Sequence, residues 1–71
     1  MTRNRKEIER VFRAYKGVVY GLACSMLRSS ALADDVTQES FIAFCQCEHE
    51  FGSEEHLKNW LLKVAANKCR N

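Results

Sequence analysis

Proline is absent from this chain of 71 residues, glycine appears only three times and tryptophan once. That scarcity disfavours a turn-rich sandwich or barrel and permits long, uninterrupted helices. No apolar run exceeds a few residues, far short of the roughly 20 that cross a bilayer, so no membrane insertion is expected. The opening Met-Thr-Arg-Asn-Arg-Lys-Glu is charged and leads into no apolar h-region; without a signal peptide, the expected compartment is the reducing cytoplasm. The four cysteines, Cys24, Cys45, Cys47 and Cys69, are therefore expected to be free thiols in or near the core, not a disulfide frame.

Motifs of covalent chemistry are missing too. There is no GxSxG, no Gly-rich phosphate cradle and no HExxH, and a domain this small offers little cleft. We expect neither an enzyme nor a cofactor. The neighbourhood of Cys47, His49, Glu50 and His56 brings zinc to mind, but Cys45 and Cys47, two apart on a helix, point to different faces, and tetrahedral sites use ligands two to four residues apart in repeated pairs. No metal is expected.

What the chain does contain is apolar mass and patterned charge. Hydrophobic residues make up 46%, ordinary globular usage, although a chain this short buries only about 60% of its unfolded surface and will be marginally stable. The net charge of +2 conceals a basic–acidic–basic order. Arg3, Arg5, Lys6, Arg10, Arg13, Lys16 and Arg28 dominate the first 28 residues. Asp34, Asp35, Glu39, Glu48, Glu50, Glu54 and Glu55 then follow with no Lys or Arg among them. Lys58, Lys63, Lys68 and Arg70 close the chain. Such alternation can give one domain two surfaces, one for a polyanion and one for a basic protein.

The apolar period predicts three helices. Ile8, Val11, Phe12, Tyr15, Val19, Leu22, Ala23 and Met26 recur in steps of three, four and one, an amphipathic stripe over about residues 4–28 with Asn4 as cap. Gly17 and Gly21 lie within it, four apart on one face, which a closely approaching helix would explain. Ser29 and Ser30 supply cap chemistry for a second helix over about 31–47, with Leu32, Val36, Phe41, Ala43 and Phe44 as its apolar positions. Asp34 and Asp35 fall early in it, where the macrodipole favours negative charge. Phe51 and Gly52 mark a turn. Ser53 caps a third helix over about 53–70, with Leu57, Trp60, Leu61, Val64 and Ala65 on one side and Lys, Arg and Asn on the other. The expected fold is all-α, a compact three-helix domain spanning residues 1–71. Lys and Arg neutralise phosphates and Asn can read a base edge, but a solvated helix face has the same composition.

The order of residues adds a resemblance. Asp34-Asp35-Val36-Thr37-Gln38-Glu39-Ser40-Phe41, then Phe51, then Asn59-Trp60-Leu61-Leu62-Lys63-Val64-Ala65-Ala66-Asn67 resembles region 2 of a bacterial RNA polymerase sigma factor. The Trp-Leu-x-x-(Val/Ile)-Ala-x-Asn ending is similar to that of the extracytoplasmic-function (ECF) group. The resemblance implies that Asp35, Gln38, Glu39 and Phe41 dock on the coiled coil of the polymerase β′ clamp. It implies that the loop of residues 48–55 captures a base flipped from the promoter −10 element. It further implies that the third helix reads and melts that element, with Asn67 and Asn71 near the bases and Lys58, Lys63, Lys68 and Arg70 as phosphate contacts. Trp60 would be a packing residue, and an anti-sigma factor would be a further partner. The chain departs from the pattern at Leu62 and Cys45, where aromatics are common, and in its acidic loop; the region that reads the −35 element, region 4, is not within these 71 residues. A function of another class, a sigma-like adaptor held by a regulator without any DNA role, suits the same helices.

Overall fold

The computed structural model describes residues 3–71, so Met1 and Thr2 lie outside the described residues. Three helices follow one another: α1 (Arg5–Leu27), α2 (Ser30–Gln46) and α3 (Glu54–Arg70). Every pair of helices packs together, within extents of 32 × 21 × 19 Å. No described helix is long and apolar enough to cross a membrane.

Local chemistry explains the boundaries. The Asn4 side chain accepts from the Lys6 amide at 2.7 Å, Ser29 Oγ from the Leu32 amide at 3.2 Å, and Ser53 Oγ from the His56 amide at 3.1 Å. Each satisfies a donor that the first turn leaves unpaired. At the end of α1, Arg28 takes the left-handed conformation (φ 54°, ψ 36°) and returns its N–H to the Cys24 carbonyl at 2.8 Å. This is a glycine-type stop made with an arginine. Because Ser29 is the cap and α2 begins at Ser30, its first turn carries no acidic residue. Asp34 and Asp35 are thus the fifth and sixth residues of the helix, one residue further in than expected and beyond most of the reach of the helix-end dipole. In α3 the ends do match the dipole, with Glu54 and Glu55 in the first turn and Lys68 and Arg70 in the last.

The core draws on all three helices: Val11, Val19 and Ala23 from α1; Ala33, Val36, Phe41 and Phe44 from α2; Leu57, Leu61 and Ala65 from α3. Phe51 and Trp60 pack against its edge. Two polar side chains are buried in α2, and both are satisfied locally. Thr37 Oγ1 donates to the Ala33 carbonyl at 2.7 Å and Ser40 Oγ to the Val36 carbonyl at 2.8 Å, so neither incurs the cost of an unpaired buried group.

Several expectations need correction. Phe12 and Met26 are each 39% exposed and Leu32 is 52% exposed, because the apolar stripes are wider than the neighbours that cover them. Gly17 and Gly21 receive no close helix: a Cβ on either would meet nothing within 4 Å. The four cysteines need no such correction: they are free and half-buried, as expected.

Candidate functional site

The α2 motif divides cleanly between inside and outside. Val36, Thr37, Ser40 and Phe41 are buried, whereas Asp34, Asp35, Gln38 and Glu39 are exposed. Three- and four-residue steps place Asp35, Gln38 and Glu39 along one side of the helix. Leu32 and Ile42 extend that side and are 52% and 53% exposed. The surface is an anionic centre with an apolar shoulder at each end, complementary to a basic helix with apolar neighbours. Neither shoulder is legible in the sequence: Leu32 falls in the apolar series of α2, and Ile42 carries no motif signal. Phe41, in contrast, is only 5% exposed. Its ring meets Phe12 edge-on at 5.0 Å, so it supports the face from beneath and offers nothing to a partner.

The α3 surface gathers the cations. Lys58, Lys63, Asn67, Arg70 and Asn71 are exposed and Lys68 is half-buried. Lys63, Asn67 and Arg70 form one row by their four- and three-residue spacing, and exposed Asn59 continues it by one turn. Asn59 is a residue that the same spacing could have added. Lys58 departs from this row by about 140° at 100° per residue. Within the row, Arg70 Nη1 donates to Asn67 Oδ1 at 3.3 Å, which leaves the Asn67 amide hydrogens directed elsewhere. Lys68 pairs with Glu39 of α2 at 3.6 Å. The cationic and anionic surfaces therefore meet through that pair, an exposed bridge worth at most about 1 kcal/mol.

Between α2 and α3 runs an irregular loop, residues 47–53, organised around Phe51. Its ring lies 4.9 Å from His49, 5.3 Å from His56, 5.5 Å from Trp60 and 6.3 Å from Phe44. His56 Nδ1 accepts from the Gly52 amide at 3.3 Å. Trp60 is half-buried in this cluster, as a packing residue would be. Beside it a polar recess is lined by Arg3, Arg10, Glu50, Phe51, Ser53 and Glu54 among others. Its far wall is a network: Arg10 donates through both terminal nitrogens to Glu54, at 3.1 and 3.2 Å, and Tyr15 Oη donates to Glu54 at 2.6 Å. The Arg10 bond first, and the Tyr15 bond second, hold the Glu54 carboxyl below its ordinary range. The bond to Glu54 pushes the Tyr15 phenol up. The Glu54 carboxylate, next after the loop, is thereby matched by a cation, which lessens the repulsion that this acidic segment would present to a polyanion. Among the described residues, no three His, Cys, Asp or Glu side chains converge as a metal site.

A family model described as Sigma-70 region 2 matches residues 11–71. Comparison with curated proteins and with solved structures gave no match.

Proposed function

The chain belongs to the sigma-70 region 2 family, non-enzymatic transcription-initiation domains that bind RNA polymerase and take part in promoter recognition, and on that premise we propose a division of labour between its faces. The exposed row of Asp35, Gln38 and Glu39, with Leu32 and Ile42 as shoulders, docks on the β′ clamp coiled coil. The row of Lys63, Asn67 and Arg70, with Asn59, Asn71 and Lys68 around it, meets the promoter −10 element and helps to open it. Lys58 lies off this row and serves as a peripheral phosphate contact. The Trp60–Asn67 motif favours the ECF group, and the same reading has the domain act in the cytoplasm under an anti-sigma factor.

One observation supports this reading most directly: the side chains that would bind are the exposed ones on both helices, while their motif neighbours form the core. Opening DNA costs a few kcal/mol for each unstacked base. That cost can be offset by binding the extruded base beside the Phe51 cluster and by phosphate contacts along α3. Phosphate contacts supply affinity that falls with salt, whereas Asn67 supplies selectivity.

The test is binding of single-stranded oligonucleotides with and without −10-like sequence, across salt concentrations, alone and with a β′ clamp fragment. Salt-dependent binding, tightened by the fragment, is expected, and Asn67→Ala should reduce sequence preference more than affinity. A chain that holds the clamp fragment yet binds no oligonucleotide would instead be the adaptor, a reading to which exposed Leu32 and Ile42 are equally suited.

A further inference from the structure

Arg3 lies ahead of α1 and outside the residues 11–71 that match the family, yet its side chain is only 11% exposed, against 93% for Arg5 two positions on. The guanidinium reaches across to the α2–α3 loop. Nε donates to the Phe44 carbonyl at 3.0 Å. Nη2 donates to Cys47 Sγ at 3.2 Å and also to the His49 carbonyl. The flat face of the group lies 4.4 Å from the Phe44 ring centre and 5.4 Å from that of Phe51, and Glu7 balances the charge at 3.5 Å.

These contacts answer two needs of the loop. The Phe44 carbonyl belongs to the last turn of α2, where carbonyls lack intrahelical partners, and that turn has no basic residue of its own. Arg3 supplies the missing cation from a distant part of the chain, where the helix dipole favours it. The loop has no strand or helix to hold it, and a single planar fork with five donors ties two of its acceptors and one of α2 while stacking on its aromatic hub. A lysine, with one compact ammonium, cannot do both.

We propose that Arg3 is a positioning residue that sets the conformation of the α2–α3 loop and so holds the His49 and Phe51 rings ready for an extruded base. The second half of this rests on the reading of the loop as a DNA contact. The first half does not.

The experiment compares wild type, Arg3→Ala and Arg3→Lys by amide hydrogen exchange over residues 48–52, by affinity for a −10-like single strand, and by affinity for the clamp fragment. Losing several charge-assisted bonds should speed loop exchange and weaken the oligonucleotide by about tenfold or more in Arg3→Ala, with clamp affinity and helicity unchanged. Arg3→Lys should recover little of either. If Arg3→Ala does not fold, Arg3→Lys carries the comparison, because it keeps charge and stem and loses the fork. Wild-type loop exchange in Arg3→Lys would overturn the proposal, as would an equal loss of clamp and DNA affinity in Arg3→Ala. If wild type binds no oligonucleotide, the DNA reading fails by itself, and loop exchange still decides whether Arg3 sets the loop.

Discussion

The α2 face and the loop–α3 surface are assembled by different means. On α2 a single helix sorts its own residues: once Val36, Thr37, Ser40 and Phe41 face the core, Asp35, Gln38 and Glu39 must face out. The loop depends on residues far away in the chain. Arg3, Arg10 and Tyr15 contact it, or the first residue of α3 beyond it, from separations of 39 to 46 positions. A face built by one helix survives surface substitution. A loop held by a few long-range polar contacts can be loosened by one.

The largest expected effect is on the self-contained face. Replacing Asp35 and Glu39 together by Lys should weaken clamp-fragment binding by about a hundredfold or more, because like charges brought together across an interface cost several kcal/mol. Helicity should hold, since the interaction lost from α2 among the described residues is the exposed Glu39–Lys68 pair, a weak one. A clamp complex that persists, measured by calorimetry or anisotropy, would refute the docking assignment.

On the other surface, Lys63→Ala should lower oligonucleotide affinity by about two- to tenfold across all sequences and reduce the salt slope by about one. A slope identical to wild type would remove Lys63 from the phosphate contacts.

Thermal melts across pH test the long-range network. The Glu54 carboxyl is held below its ordinary 4.5, so its contribution is present above that value and is lost as pH falls through the lower folded value. The Tyr15 phenol is raised above 10.0, so its share is present below that value and is lost as pH climbs through the higher one. Both follow from linkage between proton binding and folding. Glu54→Gln should flatten both limbs of the profile; unchanged limbs would mean that the network is not formed in solution.

The smallest effect concerns the two glycines within α1. Gly17→Ala and Gly21→Ala should each stabilise α1 by up to about 1 kcal/mol, since both are mid-helix and a methyl group meets open space. Denaturant melts would read this. Destabilisation would mean that a neighbour packs there after all.

Much of the fold was legible because helix chemistry is local. Asn4, Ser29 and Ser53 act as the caps their residue types suggest, and the observed helix ends lie within one residue of those expected. Periodicity was a poorer guide to burial. It marks Phe12, Met26 and Leu32 as apolar but carries no information on how wide a covering helix will be, and all three lie at the exposed margin. The period did count Phe41 as apolar, and the family resemblance made it a candidate contact; the packing of α1 against α2 decides that this ring meets Phe12. The candidate row on α3 could be read in outline, since Lys63, Asn67 and Arg70 repeat with the helix. That Lys58 leaves the row and Asn59 joins it follows from the same period once the inward side is known.

The order of residues alone determined that this chain forms three capped helices, with acid on the middle one and base on the first and last, because capping, periodicity and charge are properties of near neighbours. Tertiary structure alone decided which apolar residues are covered, that Glu39 meets Lys68, and that Arg3, Arg10 and Tyr15 converge on the segment around Phe51. Those outcomes depend on how separate helices cross, and no local pattern encodes a distance between side chains some forty residues apart.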